Sequence, residues 1–277
     1  LPAEKKAGTG KGVGQNGQDS QSALKPLNQP HVDQMRRELH FVTALLLLLP
    51  TLTPADTGVG DCAILLHGMG RTSQSMSLIE DALIAQGYRV WNESYPSLTQ
   101  SLEVFTKPMV ESAIRYCRDN QAASIHFVTH SLGGIIVRYY LQNHQIDDLG
   151  RIVMLAPPNK GSEVADEMKD GFLYQTIMGP NAQVLGTDQN SLPNRLQPIE
   201  GEIGIIAGEA DGEPWFLPEI PGADDGKVAV ERTKLPEMRD FLRVKSGHTF
   251  IMRNDAVIDQ IMFFLKNGHF DHKTSDE

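Results

Sequence analysis

From Cys62 onward the chain alternates short, continuous apolar runs with longer stretches whose apolar residues recur every three or four positions. The short runs are Cys62 to Leu66, Tyr88 to Asn92, Ser124 to Thr129, Arg151 to Ala156, Glu202 to Ala207 and Asp240 to Lys245. Runs of this length, apolar on both faces, are expected of strands that helices cover from either side. The longer stretches are Met76 to Gln86, Leu102 to Cys117, Leu132 to Asn143 and Ala256 to Lys266, the last followed by the stop signal Asn267-Gly268. The pattern predicts an α/β fold, a doubly wound and mostly parallel sheet of about six core strands with flanking helices. In such sheets reactive groups gather in the loops at the carboxyl ends of the strands. No internal repeat interrupts the alternation.

The first 55 residues depart from this pattern. Residues 1–34 are rich in Gly, Gln, Asn, Ser and Lys, a composition that cannot supply a core. Lys5-Lys6-Ala7-Gly8-Thr9 resembles the translated scar of recombination cloning, so 1–34 is set aside as a cloning-derived extension or a disordered tail. Residues 35–55 read as a signal peptide: Met35-Arg36-Arg37, an apolar run from Phe41 to Leu49, and a cleavage site after Ala55. The apolar run is about half the roughly 20 residues of a membrane-spanning helix. Membrane association is therefore expected only through this segment, and the protein is expected to be periplasmic or secreted. Residues 56–277 are long enough for one α/β domain with a sizeable core. Cys62 and Cys117, the two cysteines, fit neither a zinc nor a CxxC redox pattern. They are either two buried thiols or, if the chain is exported, a disulfide. The formal net charge of −10 argues against a nucleic-acid partner, which a basic surface would attract.

Chemistry concentrates in a few strand-end loops. Val128-Thr129-His130-Ser131-Leu132-Gly133-Gly134 lies between an apolar strand and an amphipathic helix and matches a GxSxG nucleophile elbow, with Thr129 in place of the first glycine. The serine must project from a tight turn, and small neighbours give that turn clearance, so Ser131 is the candidate nucleophile. Thr129 is the one departure. Leu65-Leu66-His67-Gly68-Met69-Gly70-Arg71 follows the first strand, where a glycine-rich loop can aim a backbone N–H at a developing oxyanion. The backbone N–H groups of Met69 and Leu132 are the expected oxyanion donors, with His67 an orienting or packing residue.

Of the nine histidines, His248 alone follows the predicted final strand and precedes the final helix, and it is the candidate general base. His269 and His272 lie in the polar tail, His126 within a strand and His144 near a helix end. His130, beside the serine, is expected to orient away from it. The acid partner is open between two segments, Glu209-Ala210-Asp211-Gly212 and Ala223-Asp224-Asp225-Gly226. Asp225 is placed first, Asp224 second and Asp211 third, because Val228 and Val230 can pin the later loop while three prolines follow Asp211.

With these motifs in order, LLHGMGRT, VTHSLGG, MLAPPNKGSE, DDGKVAVERTKL and SGHTFIMRN, the chain from Cys62 to Phe264 resembles a bacterial α/β-hydrolase family related to secreted lipases and esterases. The resemblance implies an α/β-hydrolase fold, with Ser131 as nucleophile, an aspartate of the DDG segment as acid and His248 as base. It implies cleavage of small-molecule or lipid carboxylic esters through an acyl-enzyme. It leaves the substrate open, because fold and site type alone do not specify one. An acyltransferase would use the same residues, and a non-catalytic binding protein on the same scaffold would ordinarily have lost one of them. No cofactor and no metal site is implied. The connection 159–198 is longer than a bare crossover needs. Its apolar stripe, Val164, Ala165, Met168, Phe172, Leu173, Ile177 and Met178, makes it either a lid or an ordinary crossover packed on the sheet. Trp215, Phe216 and Leu217 either wall a pocket or anchor their loop.

Overall fold

The six apolar runs form six parallel strands: β1 (Cys62–Leu66), β2 (Arg89–Trp91), β3 (Ile125–His130), β4 (Leu149–Leu155), β5 (Glu202–Glu209) and β6 (Asp240–Lys245). They lie in the order β2-β1-β3-β4-β5-β6. The computed structural model describes residues 60–168, 178–210 and 220–273, all within one unit spanning Asp56–Glu277. The tail 1–34, the segment 35–55, Asp211 and Trp215 to Leu217 lie outside the described residues. Among the described residues three longer helices connect strands, α1 (Ser77–Ala85), α2 (Leu102–Asp119) and α3 (Leu132–Leu141), and a fourth, α4 (Asp255–Asn267), follows β6. No helix among the described residues is long and apolar enough to cross a membrane.

Period-two alternation sorts the strand side chains between two layers. Ile64, Phe127, Met154 and Ile205 pack in one cluster with Val110, Ile114 and Cys117 of α2 and Ile135 and Ile136 of α3. Leu65, Val128, Val153 and Ile206 pack in the other with Ile79 and Leu83 of α1 and Val257, Ile261 and Phe264 of α4. Helices on both faces explain why the central strands read as apolar runs, whereas the edge strands β2 and β6 are only partly buried. Gly204 of β5 is required by the second layer, since a Cβ there would lie 2.5 Å from the Phe264 ring.

Boundaries differ from expectation at strand ends where the backbone turns. β3 runs on through His130, and β4 stops at Leu155 because Ala156 takes φ 47°. The final helix ends at the stop signal Asn267-Gly268 and is capped at its start as well. The Asn254 side chain accepts from Ala256 N, and Gly268 closes the other end at φ 76° with its N–H on Phe264 O.

Cys62 and Cys117 form a disulfide, Cα–Cα 5.6 Å, that ties the start of β1 to the last turn of α2. In the chain-entropy view, closing a loop of this 55-residue separation contributes about 4 kcal/mol.

Of the connection 159–198, residues 159–168 and 178–198 are described. Val164 and Ala165 are buried, as are Ala182, Leu185 and Leu192. Asn181, almost fully buried, accepts from Leu102 N at 2.8 Å and donates to Ser97 O and Gln100 O. These parts are packed against the rest of the domain, in part through the loop after β2. Phe172, Leu173 and Ile177 lie outside the described residues.

Candidate active site

The carboxyl ends of β1, β3, β5 and β6 converge on one edge of the sheet, and the candidate residues lie there. Ser131 sits between β3 and α3 at φ 53°, ψ −117°, a conformation L-residues seldom adopt and the one that lifts its side chain out of the turn. Its N–H is held by Leu155 O at 2.9 Å, and Gly134 N returns to Ser131 O at 3.0 Å. Two glycines make the turn fit: a Cβ at Gly133 would lie 2.4 Å from Leu66 O, and one at Gly134 2.9 Å from Pro157 Cβ. Thr129, in the place of the motif's first glycine, is fully buried, and its hydroxyl points at Val153 O, 3.5 Å away. The side chain is taken up by the neighbouring strand, so the departure from the pattern does not close the turn.

His248 Nε2 lies 3.0 Å from Ser131 Oγ, and its Nδ1 lies 2.8 Å from Asp225 Oδ2. The carboxylate can only accept, so Nδ1 carries the proton and Nε2 is free to accept from the serine hydroxyl. Asp225 is 3% exposed and His248 6% exposed, which leaves little water to compete for this pair. The other Asp225 oxygen, Oδ1, accepts from Lys227 N at 3.0 Å and Val228 N at 2.9 Å. His248 N in turn donates to Asp225 O at 2.8 Å. The carboxylate is thus fixed by its own loop and the imidazole is registered on it.

Between the competing acids, Asp225 faces His248. Asp224 turns its carboxylate back on Gly226 N at 2.8 Å and bridges to Ala229, which shapes the turn. The loop is anchored to the end of β5 by Ala210 N on Asp224 O at 2.9 Å. Gly208 permits the approach, since a Cβ there would lie 2.9 Å from Asp225 Cβ and 2.5 Å from Ser246 O, just after β6.

The loop after β1 faces the elbow from the other side. A Cβ on Gly68 would lie 3.3 Å from Ser131 Cβ, which sets how closely the two segments pack. The N–H groups of Met69 and Leu132 have no hydrogen-bond partner among the described residues. The loop is braced from behind. Tyr95 Oη donates to His67 O, and Gly70 N donates to Ser97 Oγ at 3.1 Å. His67 is fully buried and stacks on the Tyr95 ring at 3.8 Å. Its Nδ1 donates to Gly68 O and its Nε2 accepts from Tyr95 N, so neither nitrogen is left for proton transfer. Burial holds its pKa below the ordinary 6.5, against the opposing effect of the Gly68 contact.

Two features escape the sequence. Tyr95 and Ser97, which brace the loop after β1, and Asn181, which holds Ser97 and Gln100 in the loop after β2, carry no motif. His130 does not orient away from the site, as expected, but donates Nε2–H to His248 O at 3.0 Å. Alternation along β3 puts it on the same face as Val128, the face over which the segment after β6 folds.

No family model matches the chain, and no curated protein is similar to it in sequence. Solved structures do share its fold. The mature lipase BlEst2 of Bacillus licheniformis is 19% identical at a TM-score of 0.57, over 78% of this chain and 95% of that one. The Pyrococcus furiosus esterase PF2001 is 16% identical at 0.56, over 76% and 83%. The Legionella pneumophila phospholipase PlaB is 16% identical at 0.55, over 75% of this chain and 59% of that one.

Proposed function

With an α/β-hydrolase fold as the premise, we propose that the protein is a serine hydrolase that cleaves carboxylic esters of short to medium acyl chain through an acyl-enzyme. The observation that carries this reading is one imidazole, His248, within hydrogen-bond distance of both Ser131 Oγ and the buried Asp225 carboxylate. Ser131 Oγ attacks the ester carbonyl carbon while His248 Nε2 takes its proton. Asp225 keeps the imidazole in the Nδ1–H tautomer and stabilises the imidazolium. The oxyanion is received by Met69 N–H and Leu132 N–H, each such donor being worth about 3 kcal/mol in the transition state. Collapse breaks the C–O bond, and His248 returns the proton to the departing alkoxide. Water then repeats the sequence on the acyl-enzyme. The fold neighbours are named lipase, esterase and phospholipase, and ester cleavage is the chemistry those names share. We place the protein in the periplasm or outside the cell, a reading supported by the Cys62–Cys117 disulfide.

The test is Ser131→Ala. Hydrolysis of 4-nitrophenyl butyrate should fall by at least about 10⁴-fold, with the circular dichroism spectrum retained. A fluorophosphonate probe should label the parent protein and not the variant. Residual turnover near the parent rate, or equal labelling of both, overturns the assignment. A panel of esters of rising chain length, with emulsified triglyceride, then separates esterase from lipase.

A further inference from the structure

His130 is one residue from the nucleophile, yet no step of the proposed reaction uses it. It is 2% exposed, and its ring centre lies 5.0 Å from that of His248. A carbonyl oxygen cannot donate, so the 3.0 Å contact with His248 O assigns the proton to His130 Nε2. Nδ1 is then a bare acceptor, buried and without a hydrogen-bond partner among the described residues. It faces the loop after β1, where a Cβ on Gly68 would come within 2.7 Å of it. Leaving a buried acceptor unpaired is destabilising. A core position between β3 and the segment after β6 is filled at less cost by an apolar side chain, so the donor at Nε2 requires a reason.

We propose that His130 is a positioning residue: its Nε2–H clamps the backbone of His248 so that the imidazole stays between Ser131 and Asp225. The inference rests on the serine-hydrolase reading. His248 sits in a loop after β6, held by Asp225 through Nδ1 and through its own N–H on Asp225 O. Both of those bonds tie it to the acid loop alone. The bond from His130 ties the same residue to the strand carrying the nucleophile. Without it the distance from Nε2 to Ser131 Oγ is set through the acid loop and through Ser246 N on Glu209 O at the end of β5, not through β3. Burial, with the neighbouring His248 ring and the charges of Arg71 and Lys227, holds His130 neutral. A neutral donor suits the place, because the His248 ring 5.0 Å away must itself become cationic during attack.

Side-chain geometry supplies the test. A glutamine amide nitrogen reaches close to the place of imidazole Nε2, whereas an asparagine amide nitrogen reaches only that of Nδ1. His130→Phe keeps a ring and removes the donor, and kcat should fall by about 10- to 100-fold, the scale of a misplaced reacting group, with KM little changed. His130→Asn should behave like His130→Phe. His130→Gln should recover most of the parent kcat. Parent-like kcat in His130→Phe overturns the proposal, and so does equal impairment in the glutamine and phenylalanine variants, which would mean that the ring only packs. If the variants do not fold, ¹⁵N spectra of the parent's histidine rings decide: His130 should appear as the neutral Nε2–H tautomer, and an Nδ1–H tautomer overturns the clamp. That spectrum is read independently of turnover, so a failed hydrolase reading, shown by an unaffected Ser131→Ala, is told apart from a failed clamp.

Discussion

The two sides of the site are built by different means. The serine side, from His67 to Arg71 and from Thr129 to Gly134, is built of locally fixed turns: glycines that leave no Cβ to collide, and a serine at positive φ within a single strand-turn-helix unit. The histidine-aspartate side is assembled from afar. Asp225 and His248 come from loops after different strands and meet through backbone bonds such as Ala210 N to Asp224 O, Ser246 N to Glu209 O and His248 N to Asp225 O. The difference teaches where errors of position arise. A turn fixed by sterics moves as a unit, whereas a pair of loops moves whenever one hydrogen bond in the chain of contacts is lost.

The strongest way to break the comparison is Asp225→Asn. The amide favours the wrong imidazole tautomer, and kcat should fall by up to about 10⁴-fold with the fold kept. Steady-state kinetics beside a thermal melt measures both, and a parent-like rate would remove Asp225 from the site. Gly208→Ala presses on both loops without touching their chemistry, placing a methyl 2.5 Å from Ser246 O and 2.9 Å from Asp225 Cβ. A loss of about 10²-fold in kcat is expected, as for a misplacement near 1 Å. An unchanged rate would show that both loops give way freely.

Acid should lower stability through the serine side. His67 and His130 are buried neutral with pKa values pushed below the ordinary 6.5 by burial first. The unfolded chain therefore binds more protons than the folded one between the folded pKa and 6.5. The stability these groups contribute is present above that range and is lost as pH falls through it. Urea midpoints should drop as the pH is lowered from about 6.5, and a midpoint that stays level would contradict the buried neutral state. Asp224→Asn is expected to do least, with kcat within about twofold, because an asparagine oxygen can still accept from Gly226 N as Asp224 does. A loss comparable to that of Asp225→Asn would reverse the order of the two acids.

The legibility of the molecule follows the same division. Strand and helix positions are readable because the central strands are covered on both faces and so read as short apolar runs, as Cys62–Leu66 does, while the edge strand Asp240–Lys245 keeps only Leu242 buried. The elbow is readable because its steric demands fall on consecutive residues, Ser131 to Gly134. His248 is readable from its place between the last strand and the last helix. The choice of Asp225 rests on a weaker signal, the valines that pin its loop.

By itself, then, the sequence determined the layered parallel sheet and the elbow, since period-two burial and local steric clearance are properties of neighbouring residues. The tertiary structure alone decided the rest. It turned His130 toward His248 instead of away, set Asp225 and not Asp224 against the imidazole, closed Cys62 on Cys117, and used Tyr95 and Ser97 to brace the loop after β1, with Asn181 holding Ser97 in turn. Each of these depends on which backbone atoms meet across strands far apart in the chain, and no local pattern records such a meeting.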